Sequence, residues 1–327
     1  MNTPEKQQNL TSKEQYIAAA GQPGLAQLLQ KVRLENPYSP ATLPAELWQE
    51  QLDYNVPLLI LASIYIDQFC THRNLRRILF SSRDCCHLIR IFQALFPSYE
   101  AIYFHTSRIA YRFPSVDYIQ YMHSLAPKDT LIVDGNGGGD SCYLFWAKQF
   151  QCEPIWLSVS CNNPTRCGIT YLSPSQTGGF ERINYAQEGS LIGFDEQGPI
   201  RLPCEYVHEH LEPVYRCIAT CVQYCPQFNF NPFDQNLTDH LLTELQNHNT
   251  LLEKYFTPVH TLTFFQQAWG SFLLKTPFYP TLSSTEKLRI WKALQNTLSS
   301  SELPFLSQLQ QATIEAQNEN FQCEQSQ

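Results

Sequence analysis

The sequence predicts an α/β fold, a parallel sheet flanked by helices, followed by a helical C-terminal region. Three observations carry this prediction. Short apolar segments alternate with helical ones between about residues 77 and 160. Their spacing is that of βαβ units, whose parallel strands need a crossover. From Glu205 onward the pattern is helical, with proline breaks at 226, 232, 258, 277, 280 and 304.

Residues 1–43 form a polar N-terminal segment in which Pro23, Pro37 and Pro40 break any long periodicity, with a short helix expected near Gln15 to Arg33. From Pro44 to about Thr71 an amphipathic pattern passes into an apolar one, as in a helix packed on a core. Arg77 to Ser81 (RILFS) then reads as a buried strand, followed by a helix over about Asp84 to Leu95. Ala101 to His105 is a second strand, with a polar helix around Val116 to Ser124. Thr130 to Val133 is a third strand, Ser141 to Gln151 a helix, and Pro154 to Ser160 a fourth strand. After Asn162 the signal weakens, and Gly178 to Arg182 and Gly189 to Ile200 read as short strands or loops. These elements divide the chain into a core domain at 44–205, a helical region at 206–312 and a Gln- and Asn-rich tail at 313–327, expected to be disordered.

Right-handed crossovers put the C-terminal ends of the strands on one edge of such a Rossmann-like sheet. Ligands of open α/β sheets bind at that edge, so the loops after Phe80, His105 and Val133 are the places to look for chemistry.

Bulk composition narrows the function classes. Of 327 residues, 43% are hydrophobic and only 16% charged, which supplies a sizeable core and excludes global disorder. A net charge of −8 argues against nucleic acid as a partner, since a polyanion needs a basic face. The N-terminal stretch MNTPEKQQNLTSKEQ has no apolar stretch of the signal-peptide kind. The 12 cysteines are therefore expected as reduced thiols in the cytoplasm, with a non-standard export route left open. The longest apolar run, Pro57 to Ile66, is about half the ~20 residues a membrane span requires, so no span is expected.

The densest signal is TLIVDGNGGGDS at Thr130 to Ser141, where Gly135, Gly137, Gly138 and Gly139 fall within five positions after Asp134. A strand ending in an acid, a glycine-rich turn and a helix start aim free backbone N–H groups at an anion. In that reading Gly135, Gly137, Gly138, Gly139 and Ser141 cradle a phosphate, while Asp134 and Asp140 hold a Mg²⁺ ion or a ribose hydroxyl. The alternative is a tight connection in which Asp140 or Ser141 only caps the helix. Ser81-Ser82-Arg83-Asp84 lies at another strand end, where Arg83 and Asp84 can face the glycine loop; there too Asp84 can be a plain helix cap. Arg108 in Thr106-Ser107-Arg108, with Arg112 a turn further on, suits bidentate phosphate contact or a structural ion pair.

Weaker candidates accompany these. Cys204, His208 and His210 have metal-ligand chemistry, but nothing completes a four-ligand set. Cys217, Cys221 and Cys225 recur every four residues, as in a stripe of small hydrophobes facing a core. Cys85 or Cys86 at a helix N-terminus would be an activated thiolate.

The segments ILFSSRDCC, IYFHTSRIAYR and LIVDGNGGGDS, in that order, resemble the RDG-type domain of bacterial surface-polysaccharide synthesis proteins, commonly labelled a HAD-like hydrolase. NVPLLILASIYIDQF before them and GGFERINYAQEGSLIGFDEQGPIRLP after them look like that family's flanks, so the resemblance covers roughly residues 50 to 235. Cys85 stands where the family has Gly after Arg-Asp, and Gly139-Asp140-Ser141 where it ends Gly-Ser. The label implies carboxylate chemistry at Asp84 and Asp134. No Asp-x-Asp occurs in the chain, which argues against a standard HAD phosphatase and leaves only a rearranged carboxylate set. LIVDGNGGGDS also resembles the phosphate loop of phosphoribosyltransferases. By that likeness Asp134 holds ribose hydroxyls, Gly135 to Ser141 bind the phosphate, and Arg83 and Arg108 neutralise pyrophosphate.

The expectation is thus an enzyme acting on a phosphorylated sugar or nucleotide-like small molecule, in its most concrete form phosphoribosyl-type group transfer with Mg²⁺. The alternatives are a HAD-like phosphohydrolase, and a non-catalytic accessory protein that binds a protein partner through its helical C-terminal region.

Overall fold

The computed structural model describes residues 9–107, 110–111, 114–125, 129–136, 140–151, 154–160, 169–173, 180, 183–201, 208–251 and 283–295. Of residues 136, 140–142, 169–171, 173, 208–209, 287 and 291–295 it describes the backbone alone.

The chain opens with two helices where one was expected. Helix α1 (Ser12–Ala19) starts at a capping box, in which Thr11 Oγ1 accepts from Glu14 N at 3.2 Å and Glu14 Oε2 accepts from Thr11 N at 2.7 Å. Gly21, at φ +87°, ends it, and Pro23 restarts the chain as the first residue of α2 (Pro23–Leu34). Helix α3 (Leu43–Glu50) runs through a π-helical turn at Gln51–Asn55 into α4 (Val56–Arg73), which ends on Asn74 in the left-handed region. Residues 56 to 64 of α4 are all buried, which accounts for its near-continuous apolar sequence.

Five strands form one parallel sheet: β1 (Arg77–Ser81), β2 (Glu100–Phe104), β3 (Thr130–Asn136), β4 (Ile155–Ser160) and β5 (Ile169–Ser173), in the order β2-β1-β3-β4-β5. Helix α5 (Leu88–Leu95) connects β1 to β2, α6 (Val116–Ser124) lies between β2 and β3, and α7 (Asp140–Phe150) links β3 to β4. Side chains of a strand alternate between faces, and the two faces have separate cores. Ile78, Phe80, Leu131, Val133, Leu157 and Val159 pack with α1, α2, α4 and α5. Leu79, Ile132 and Trp156 face the other way, onto Tyr118 and Met122 of α6 and Trp146 of α7. The result is the expected α/β sandwich of helices around a parallel sheet.

Three strand-level expectations change. Strand β3 extends past Val133 to Asn136, because Asp134 and Asn136 stay in register with Ser158 and Ser160 of β4. Helix α5 begins at Leu88, so Asp84 sits in a turn rather than capping a helix. A fifth strand follows where the sequence signal fades.

Beyond the sheet, β6 (Leu191–Asp195) and β7 (Gly198–Arg201) make an antiparallel hairpin, with Gly198 at φ +106° in its turn. Helices α8 (His208–Tyr224), α9 (Gln235–Asn247) and α10 (Ser284–Gln295) follow. Cys217, Cys221 and Cys225 are all buried in the same core as α4 and the sheet, as the four-residue spacing predicts. Ile17, Leu25, Leu28 and Val32 of the N-terminal helices and Leu237, Leu241 and Leu245 of α9 share that core. Among the described residues no helix is long and apolar enough to cross a membrane. Residues 313–327 lie outside the described residues.

Candidate functional site

The strand order runs outward in both directions from β1 and β3, so the chain leaves these two neighbours toward opposite faces of the sheet, the switch-point position at which open α/β sheets bind ligands. Both of the loops singled out in the sequence leave from here. Ser82 to His87 form a run of turns after β1, tied by Cys85 N to Ser81 O (3.1 Å) and Cys86 N to Arg83 O (3.0 Å). Asp134, Gly135 and Asn136 close β3, and after three further positions α7 starts at Asp140.

The two loops touch. Gly135 packs so tightly on Asp84 that a Cβ placed on it would stand 2.6 Å from Asp84 Cβ and 2.9 Å from Asp84 O. Glycine is required here by close approach, not by a positive φ. Ser160 Oγ on β4 donates to Gly135 O at 3.3 Å and braces it from the far side. The Cys85 thiol donates to Val133 O at 3.6 Å, a second tie between the loops.

Cys85 itself is not a nucleophile. It is fully buried, and burial with the neighbouring Asp134 and Asp84 carboxylates pushes its pKa well above the ordinary thiol value. Cys86 is pushed up to about 12 by burial, with Asp84 and Glu188 adding to it. Both residues lie in the turn before α5, which starts at Leu88, rather than in its first turn. The same electrostatics have the Asp84 and Asp134 carboxylates both acting on one sulfur.

On the other side of β1 a polar network joins the turn to β2. Ser82 N donates to Phe104 O at 2.9 Å, and Ser82 Oγ exchanges hydrogen bonds with the Thr106 main chain at 3.1 and 3.2 Å. Arg201, at the end of β7, reaches into this corner with a largely buried side chain. Its Nη2 donates to His105 Nδ1 at 2.8 Å and to Ser82 Oγ at 3.3 Å, its Nη1 donates to Gly189 O at 3.0 Å, and its Nε lies 3.3 Å from Glu188 Oε2. The Tyr103 hydroxyl donates a short hydrogen bond to the other oxygen of Glu188. Burial lowers the Arg201 pKa against the pull of Glu188 and Tyr103, and the Arg83 guanidinium adds to the lowering. Arg83 is therefore close to Arg201, and positive charge gathers beside the crevice.

Of the residues the sequence singles out, Asp84, Asp134 and Gly135 meet at the ends of β1 and β3, with Arg83 next to Asp84 in the turn. Arg108, Arg112, Gly137, Gly138, Gly139 and Cys204 lie outside the described residues, and Asp140 and Ser141 are placed by backbone only, as the first two residues of α7. Among the described residues no group of three His, Cys, Asp or Glu side chains converges as a metal cage. The residues missed were Arg201, Glu188 and His105. His105 closes a strand that was recognised, but an Arg bonded to a serine 119 positions earlier leaves no local signal.

No protein-family model matches the chain, and no curated protein matches it.

Proposed function

We propose that this chain is an enzyme that binds a phosphorylated sugar or nucleotide-like ligand in the β1–β3 crevice, most concretely a phosphoribosyl-type transferase working with Mg²⁺. The observation that supports the reading is the packing of Gly135 on Asp84, which brings the segment of Asp84 against that of Asp134 at the switch point of a parallel sheet. A ligand there meets acid from Asp134 and Asp84, cation from Arg83, and the N-terminus of α7 beyond the glycines. Carboxylates suit ribose hydroxyls, and a helix N-terminus with arginine suits phosphate. The donor set also fits Mg²⁺, which is held by one or two carboxylates together with phosphate oxygens rather than by an all-protein cage. Bound Mg²⁺ offsets phosphate charge. The chain's own part is to orient the ribose on Asp134 and to hold the phosphate clear of the carboxylates.

The experiment is a thermal-shift titration with Mg²⁺ and phosphoribosyl pyrophosphate, ribose 5-phosphate or nucleotides. A ligand that binds only the folded state raises Tm with concentration, and Asp134→Asn should abolish the rise. No rise with any phosphorylated ligand sinks the proposal.

One observation favours a second reading, a phosphohydrolase of HAD-like descent. Asp84 packs on Gly135, the residue after Asp134, and in this reading the two carboxylates serve one substrate phosphate, one as nucleophile and one as acid. Phosphate release from small phosphomonoesters, lost in Asp84→Asn and in Asp134→Asn, would decide for hydrolysis over transfer.

A further inference from the structure

His105 follows the last residue of β2, tied through Arg201 to Ser82 in the turn that carries Arg83 and Asp84, and every polar atom but one is already engaged. Its main-chain N–H donates to the Tyr121 hydroxyl at 2.9 Å, and its carbonyl accepts from the Tyr118 hydroxyl at 3.3 Å. Its Nδ1 meets Arg201 Nη2 at 2.8 Å. A guanidinium has hydrogens to give and no lone pair to offer. Nδ1 must therefore be the acceptor, and the ring proton belongs on Nε2. The ring plane is held as well, between Tyr103 at 5.9 Å in edge contact and Tyr121 at 6.0 Å. Among the described residues nothing hydrogen-bonds to Nε2, and the residue is only half-buried.

We infer that His105 is a ligand-contacting residue, whose Nε2–H, fixed in that tautomer by Arg201, donates to a phosphate oxygen of the ligand in the β1–β3 crevice. The inference rests on the phosphorylated-ligand reading above. It assigns Arg201 a positioning role: its guanidinium holds Ser82 and His105 together and never needs to reach the ligand. The surroundings keep the ring neutral. Burial and then Arg201 lower its pKa against the pull of Glu188, because a second ring proton would point at the guanidinium. A neutral, preoriented N–H binds an oxyanion without first having to capture a proton.

Two variants separate this role from a structural one. His105→Asn places an amide oxygen near the Nδ1 position, so it keeps the Arg201 contact but has nothing at Nε2. His105→Gln reaches the Nε2 position with an N–H and gives up the Arg201 contact. The probe is Mg²⁺ with phosphoribosyl pyrophosphate, read as Kd, with Tm measured without ligand. The Asn variant should keep the wild-type Tm and bind about tenfold more weakly, and the Gln variant should recover part of that loss. Two-bond ¹H–¹⁵N correlation spectra of ¹⁵N-histidine protein should show the neutral Nε2–H form of His105 at pH 7.

An Nδ1–H tautomer or an imidazolium at that pH overturns the inference. So does an Asn variant that binds as tightly as wild type while wild type binds the probe, a result that leaves the site reading intact. Equal losses in both variants with lowered Tm would make His105 structural only. A wild-type protein that binds no phosphorylated probe removes the site reading, and this inference with it.

Discussion

Asp84, in the turn after β1, packs against Gly135 in the last residues of the neighbouring strand β3, and no other residue than glycine fits opposite that carboxylate-bearing backbone. A methyl group at 135 would lie 2.6 Å from Asp84 Cβ and 2.9 Å from its carbonyl oxygen, so backbone has to move. Gly135→Ala should cost about 1–3 kcal/mol by overpacking and should also abolish any Tm rise caused by Mg²⁺ and a phosphorylated ligand. Gly24→Ala is the control, because a Cβ there collides with the Asn229 main chain, well away from the crevice. Urea denaturation should show both variants destabilised, with the ligand response lost only in Gly135→Ala. Loss of the response in both, or in neither, would show that the contact serves folding alone.

How much of this was legible in the sequence follows from which contacts are local. Strands β1, β3 and β4 are apolar runs covered on both faces, and that burial is what makes a parallel strand visible. Strand β5 is an edge with one pairing partner, β4, and its ITYLS sequence carries too little apolar pattern to stand out. The glycine turn and SSRD were legible because each sits at the end of a visible strand, and parallel topology alone sends such ends to one edge. Their meeting at Asp84 and Gly135 was inferable; the absence of room for a Cβ was not. The extent of β3 was misjudged because Asp134 and Gly135 look like loop residues. Register with Ser158 holds Asp134 in the sheet regardless of its propensity. Arg201 and Glu188 enter from a hairpin whose place is set by tertiary packing, so a sequence window around either residue contains nothing of their role.

One buried carboxylate, at the end of α3, ties down the chain just after α9. Glu50 Oε1 accepts from His248 Nε2 at 2.8 Å and from Leu251 N at 2.7 Å, while Oε2 accepts from the Tyr185 hydroxyl at 3.0 Å. The Glu50 side chain is only 2% exposed, and His248 stacks on Tyr54 with ring centroids 4.2 Å apart. Glu50→Ala removes the acceptor shared by a buried hydroxyl, a backbone N–H and the imidazole, and should cost about 3 kcal/mol. His248→Ala should cost less, since it leaves Glu50 two donors. Amide exchange at Leu251 should quicken in Glu50→Ala more than in His248→Ala; equal rates would mean that the chain after α9 is held by other contacts.

His87 should make the fold sensitive to acid. Its ring is fully buried, in edge contact with Tyr215 at 4.8 Å, and burial, with Arg90 beside it, lowers its pKa to about 3. An unfolded histidine titrates near 6.5. Below that pH the unfolded chain takes up a proton that the native state refuses, so stability is full above about pH 6.5 and falls as pH drops toward 3. Between pH 6.5 and 4.5, before most carboxylates titrate, the loss from this one group is on the order of 2 kcal/mol. His105 adds to it in the same direction, since its pKa is also lowered. His87→Phe keeps an aromatic ring against Tyr215 and removes the proton. Urea unfolding across that pH range should show the variant losing less stability than the wild type, with the gap widening at each step down. If wild type and His87→Phe fall in parallel, the native state accommodates the His87 proton and its burial is not the source of acid sensitivity.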